Sequence, residues 1–336
     1  ENKLFDFKSL RQRKIAAGYT MEELELILHP MVTEAKEATG SMGDDTPIAV
    51  LSDKFRPLSH FFRQKFSQVT NPPIDSLREQ SRMSLKTRFG NLRDVLDANS
   101  YQDNVFVMDS PIITNSIFSK MMKFGQDVTK TIDCSFDLTK ITLKEKIKQI
   151  QDEAETAVLS GKQHLVLTDI NVDKIKVSVP MILATAAVHT FLTRKGIRSF
   201  VSIHSQSAEC LDTHYFAVLI GVGATTVNPY LAQECIRERY EKGLFNDLSY
   251  EECVLRYKKA VDQGLLKIMA KLGISVLSAY RGGFNFEAVG LSRSMVNEYF
   301  LGVQSRISGI GLSGIEFKIN QLHSYAYSGK VETLPI

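Results

Sequence analysis

The chain has 336 residues, 43% of them hydrophobic and 24% charged, which is enough apolar content to bury a full core and excludes a disordered chain. Its 41 Lys and Arg against 38 Asp and Glu leave a net charge of +3, and no basic run forms a nucleic-acid or membrane stripe. Cys134, Cys210, Cys235 and Cys253 are widely spaced without a Cys-x-x-Cys, which argues against a zinc site, an iron–sulfur cluster or a disulfide scaffold and predicts reduced core thiols in a cytoplasmic protein. No apolar run reaches the roughly 18 to 20 residues of a membrane span. The chain opens on Glu1 rather than Met, which suits a fragment or a processed piece.

Glu1–Lys14 is polar and basic and reads as a linker, with the first folded element opening at Thr20. Thr20 and Glu23 form a capping box ahead of Leu24, Ile27, Leu28 and Met31, which predicts a helix with His29 near its end. Gly40–Pro47 is a loop whose Asp44 and Asp45 read as turn formers, and Ile48–Leu51 reads as a short buried strand. Leu58, Phe61, Phe62 and Phe66 predict a helix over Pro57–Gln68, and helical spacing resumes over Ile74–Leu85. Between the two stand Pro72 and Pro73, which lack N–H groups and hold Thr70 and Asn71 in extended backbone. On local physics this is a rigid turn that also suits a wall passed by a small polar molecule.

From about Thr131 strands alternate with helices. Ile132–Phe136, His164–Ile170, Ser199–His204, Thr225–Asn228 and Ile274–Ala279 read as strands. Helices are expected from the Thr142/Glu145 capping box to Leu159, from Ser178 to Arg194, over His214–Ile220, and from the Ser249/Glu252 capping box to Leu272, with Gly161 and Gly196 as stops. The fold class is therefore α/β: a parallel sheet covered by helices, as a (β/α) barrel or a partial one, with a mainly helical N-terminal extension. The parts are drawn at 1–19, 20–130, 131–327 and 328–336.

Few residues point to chemistry. Gly309–Gly314 matches G-x-G-x-x-G, but without a recognisable βαβ context it reads as a packing turn rather than a dinucleotide site. Gly221–Gly223 reads as a helix stop on the amino side of a strand. Arg281, Gly282 and Gly283 are placed at the carboxyl end of a strand, where a barrel binds phosphate, and are the weak cofactor candidates. The seven histidines show no metal-ligand spacing, and His204 and Asp169, at strand ends, read as structural groups.

Ser67–Glu79 and Gly40–Ser52, followed by Ser178–His189, His214–Ala232, Leu265–Gly282, Phe286–Leu291 and Ser305–Leu312, resemble the central domain of the glutamate synthase large subunit in the family's order. The chain departs from that pattern at Thr190, Phe284 and Asn285. The resemblance implies a barrel-like domain lacking its own cofactor, set between an amidotransferase domain and an FMN-binding domain of one polypeptide. Residues 1–19 are then the linker from the amidotransferase, and 328–336 the exit towards the FMN domain. It implies no catalytic residue in this chain, and it makes Thr70 and Asn71 lining of an ammonia tunnel. The full enzyme would use FMN, an iron–sulfur cluster and NADPH or ferredoxin, with a small electron-donating subunit as a further partner, and neither nucleic acid nor membrane. Two rival expectations are an independent flavin-binding barrel oxidoreductase and a scaffold that only joins domains.

Overall fold

The computed structural model describes residues 3–39, 47–66, 74–75, 77–94, 96–99, 105–331 and 333–335. Within the expected linker, α1 spans Phe7–Ala16, capped by Asp6 accepting from Ser9 N–H at 2.7 Å. It is held to the body by Leu10 and Ile15, both buried, and by a Lys14–Glu238 ion pair at 2.6 Å. Thr20 and Glu23 make the expected reciprocal cap, at 3.1 and 2.8 Å. The helix they open widens to π geometry over Glu23–Leu28 before α2, His29–Thr33. Pro30 explains the widening: it cannot donate to Leu26, and His29 N–H reaches back to the Leu24 carbonyl instead.

Residues 47–112 correct several expectations. Ile48–Leu51 is not a strand but holds a 3₁₀ turn, Ala49–Leu51. The described part of the expected helix over Pro57–Gln68, residues 57–66, is not helical: a 3₁₀ turn over Leu58–Phe61 runs into β1, Phe62–Gln64. Phe61 and Phe62 are both buried, and Phe62 enters the ladder opposite Ala288, so pairing with a neighbouring strand overrides the helical spacing. Ile74–Leu85 shrinks to α3, Glu79–Arg82, because Asp75 draws the N–H groups of Leu77 and Arg78 into a side-chain-closed turn at 3.0 and 3.1 Å. β2 (Thr87–Phe89) and β3 (Phe106–Met108) then pair antiparallel, and α4 covers Asn115–Phe124.

The βα alternation follows as expected. β4 (Thr129–Asp133), β6 (His164–Thr168), β8 (Ser202–Gln206) and β9 (Thr226–Asn228) form one parallel sheet in that order, with β5 (Ser135–Phe136) and β7 (Val177–Ser178) paired antiparallel beside it. Every residue of β6, β8 and β9 is buried, as helices on the faces of a parallel sheet require. The helices are α5 (Leu143–Leu159), α6 (Met181–Arg194), α7 (Thr213–Gly221), α8 (Tyr230–Glu241), which was not among the expected helices, and α9 (Tyr250–Leu272). The Thr142/Glu145 and Ser249/Glu252 boxes both cap as expected.

Ile274–Ala279 is not the final strand. Val276 makes a single bridge to Ser84, and the chain turns into α10, Leu277–Tyr280. Its buried residues, Leu277 and Tyr280, stand three apart, a helical spacing that the neighbouring β-branched Ile274 and Val276 conceal. A second sheet orders β1, β10 (Phe286–Leu291) and β11 (Gln304–Ile310), with α11 (Arg293–Tyr299) between the parallel pair β10 and β11, and α12 (Leu312–Ala326) closes the fold. The chain is thus an α/β protein, and among the described residues its parallel strands form open sheets rather than a closed ring.

Candidate functional site

Thr70 and Asn71, with Pro72 and Pro73, lie outside the described residues. On the approach to them, β1 leads to Phe66, which is 57% exposed. An open groove of ≈ 530 Å³ runs beside this exit, lined by Ile48, Arg56, His60, Phe62, Phe66 and His214. His214 fixes its wall: Nε2 lies 3.0 Å from the Ser59 carbonyl and 3.1 Å from that of Phe62, and since carbonyls only accept, Nε2 carries the proton.

The Gly309–Gly314 motif is a packing device, as expected. A Cβ on Gly309 would lie 2.0 Å from the Gly290 carbonyl oxygen of the neighbouring strand, so only glycine lets β10 and β11 approach there. A strand precedes the motif and α12 follows it, although the sequence suggested no strand.

The carboxyl end of the four-stranded sheet carries a narrow cleft of ≈ 70 Å³ that the sequence reading did not foresee, lined among others by Arg13, Asp169, Glu209, Tyr230, Ile315 and Lys318. Strand ends place its polar groups. Asp169 follows β6 and accepts the Ala208 N–H with both carboxylate oxygens, at 3.0 and 2.9 Å, together with the Tyr230 hydroxyl. Burial pushes its carboxyl up to about 7 despite those bonds. Glu209 follows β8 and accepts the Met181 N–H and the Tyr215 hydroxyl, both at 2.7 Å. It thereby caps α6, whose own N-cap position is Pro180 and offers no side-chain bond. Both carboxyl groups are tied to backbone and tyrosines, in line with the structural reading of Asp169.

Arg281, Gly282 and Gly283 stand elsewhere than expected. They follow α10 instead of a strand, and Arg281 donates through Nε to the Ala224 carbonyl at 3.0 Å and through Nη2 to Thr225 at 3.4 Å. Those carbonyls precede β9, so the arginine lies at the amino end of the sheet, away from the end at which such folds bind phosphate. Arg198 joins it there. Its Nη2 donates to the Gly223 carbonyl at 3.0 Å, Nη1 to Val201, and Nε to His189 Nδ1 at 3.0 Å. Burial lowers Arg281 to about 10 and, aided by the Arg281 charge, Arg198 to about 9. His189 is driven down to about 3 by burial and then by both arginines. Gly223, the last glycine of the expected helix stop, has φ +125°, and a Cβ on it would lie 2.4 Å from the imidazole of His189.

A second histidine group lies in the same sheet. His164 Nδ1 meets His204 Nε2 at 3.0 Å, and His204 Nδ1 meets Thr226 Oγ1 at 2.7 Å, beneath Phe89 and Phe106 of the β2–β3 hairpin. Burial holds His164 down to about 4, so the pair is neutral and structural, as the sequence suggested for His204. Among the described residues no group of His, Cys, Asp and Glu could hold a metal ion. The four cysteines are buried and unbridged, with burial raising the Cys235 thiol to about 12.

A family model, the glutamate synthase central domain, matches residues 12–292. The chain belongs to the glutamate synthase central-domain family. The large chain of the NADPH-dependent glutamate synthase of Azospirillum brasilense is 55% identical over 333 residues, covering 98% of this chain and 22% of the relative. That of Bacillus subtilis (strain 168) is 38% identical over 323 residues, covering 96% and 21%. The ferredoxin-dependent glutamate synthase of Pyropia yezoensis is 39% identical over 340 residues, covering 96% and 22%. The chain therefore spans 21 to 22% of the length of these curated relatives. Among solved structures, the recombinant flavin-binding domain of baker's yeast flavocytochrome b2 aligns over 81% of this chain and 88% of that one, at 10% identity and a TM-score of 0.41, a likeness too slight to bear on function. Asn285, a departure from the family pattern, is buried and donates to the Tyr280 carbonyl at 2.6 Å, closing the turn after α10.

Proposed function

We propose that this chain is the part of a glutamate synthase that joins a glutaminase site to an FMN-dependent synthase site and forms part of the wall between them. Glutamine is hydrolysed in the amidotransferase domain, and the ammonia crosses to the FMN domain, where 2-oxoglutarate is aminated and reduced to glutamate. Electrons come from NADPH or ferredoxin through an iron–sulfur cluster, in the cytoplasm. The observation that carries this reading is the family match, together with relatives about five times as long, which leaves the catalytic domains to the rest of the polypeptide.

Thr70 and Asn71 take the wall position in this reading. Ammonia both donates and accepts hydrogen bonds, so hydroxyl, amide and carbonyl groups can hand it along, whereas a charged wall would trap ammonium. Thr70→Leu in the full-length enzyme is expected to lower glutamine-dependent glutamate synthesis about tenfold while ammonia-driven synthesis and glutamine hydrolysis fall less. Hydrolysis and synthesis as tightly coupled as before, in a folded enzyme, would reduce the stretch to a turn.

A further inference from the structure

We propose that Arg198, Arg281 and His189 form a binding site for a small oxyanion, phosphate or carboxylate, at the amino end of the parallel sheet. The argument starts from where the two guanidinium groups are anchored. They grip three consecutive peptide carbonyls, Gly223 through Arg198 and Ala224 and Thr225 through Arg281, and so stand side by side. Carbonyl dipoles satisfy N–H donors without cancelling charge, and two half-buried cations anchored on consecutive peptide units repel. Elsewhere the fold supplies the counter-charge: the buried Arg239 meets Glu25 through two bonds, at 2.9 and 2.7 Å. Among the described residues no carboxylate lies within ion-pair distance of Arg198 or Arg281.

The rest of the cluster also donates. Arg198 can only donate to His189 Nδ1, so that nitrogen accepts and the neutral ring carries its proton on Nε2. Nε2 borders Gly282, within 3.1 Å of the place a Cβ would take there, and the left-handed Gly282 puts no side chain on it. Arg281 keeps Nη1 beyond the two nitrogens engaged with carbonyls. The remaining guanidinium and imidazole N–H groups suit an oxyanion, and the two positive charges repel a metal ion or an ammonium group. The proposed site differs from the strand-end phosphate loop expected of Arg281 and Gly282: it lies at the opposite end of the sheet and uses side chains.

The test uses full-length glutamate synthase carrying this chain, with thermal unfolding followed in inorganic phosphate, in acetate and in sodium chloride at matched ionic strength. Phosphate or acetate at millimolar concentration is expected to raise the unfolding midpoint saturably, by about 2 °C or more over chloride. The rise should vanish in Arg281→Gln and in Arg198→Gln, and the probe with the larger effect identifies the anion. Arg281→Gln keeps an amide donor for the Ala224 carbonyl, so it remains informative if Arg198→Gln does not fold. Equal midpoints in all three salts, or an anion effect undiminished in Arg281→Gln, would overturn the proposal. Neither result touches the channelling reading, which rests on Thr70.

Discussion

The two ends of the four-stranded sheet are opposites in charge and in what they bond. At the carboxyl end Asp169 and Glu209 accept from the backbone N–H groups of Ala208 and Met181, whereas at the amino end Arg198 and Arg281 donate to the carbonyls of Gly223, Ala224 and Thr225. Chain direction explains the difference. Helices begin just beyond the carboxyl ends of parallel strands, presenting N–H groups and positive dipole ends, and they finish just before the amino ends, presenting carbonyls. Only the carboxyl end is complete in itself, since each anion there is also held by a tyrosine hydroxyl. At the amino end, among the described residues, no carboxylate pairs with Arg198 or Arg281. Under the anion-site proposal, the sheet is braced at one end and takes a ligand at the other.

Three measurements would break or sharpen this contrast. The largest effect is expected of Asp169→Leu, which orphans the Ala208 N–H and the Tyr230 hydroxyl and should lower the unfolding free energy by about 3 kcal/mol in urea titrations. A loss below about 1 kcal/mol would mean that the carboxyl end is not braced by this group. Glu209→Ala, which leaves the first N–H of α6 and the Tyr215 hydroxyl without an acceptor, should cost about 2 kcal/mol in the same assay. The part-exposed position of Glu209 lets water replace some of what is lost.

The smallest effect is one of pH, and the two ends act with opposite sign. Asp169 is held at about 7 against an ordinary 3.8, so the folded state binds its proton more tightly, and its contribution is full below 3.8 and fades as the pH rises to about 7. His189 is held at about 3 against 6.5, so its contribution is full above 6.5 and fades as the pH falls to about 3. Over pH 4 to 6.5 the two oppose one another. Asp169→Asn removes the falling component and should steepen the rise of stability with pH in that window by up to about 1 kcal/mol per unit, read from denaturation midpoints across pH. A profile unchanged by the substitution would show that Asp169 titrates as an ordinary aspartate.

Where local signals agreed with the fold, the sequence was enough. The Thr142/Glu145 and Ser249/Glu252 boxes, the buried run at His164, the apolar pattern that placed a strand at Ser199–His204, three residues early, and the spacing of α6 sufficed for the βα alternation, because capping and periodicity act within a few residues. The blocks from Gly40–Ser52 to Ser305–Leu312, in the family's order, likewise sufficed for the family that the comparisons then showed. Tertiary structure decided the rest. Phe61–Phe62 became a turn and a strand because β10 was there to pair with, and Ile274–Ala279 gave up its strand because Leu277 and Tyr280 had a core to enter. Arg281 changed ends of the sheet with that second change, and its neighbours Arg198 and His189, 83 and 92 residues earlier, share no local pattern with it. Contacts of that separation leave no mark in spacing or propensity, since nothing but the packing of α6, α7 and α10 onto the amino end of the sheet brings those side chains together.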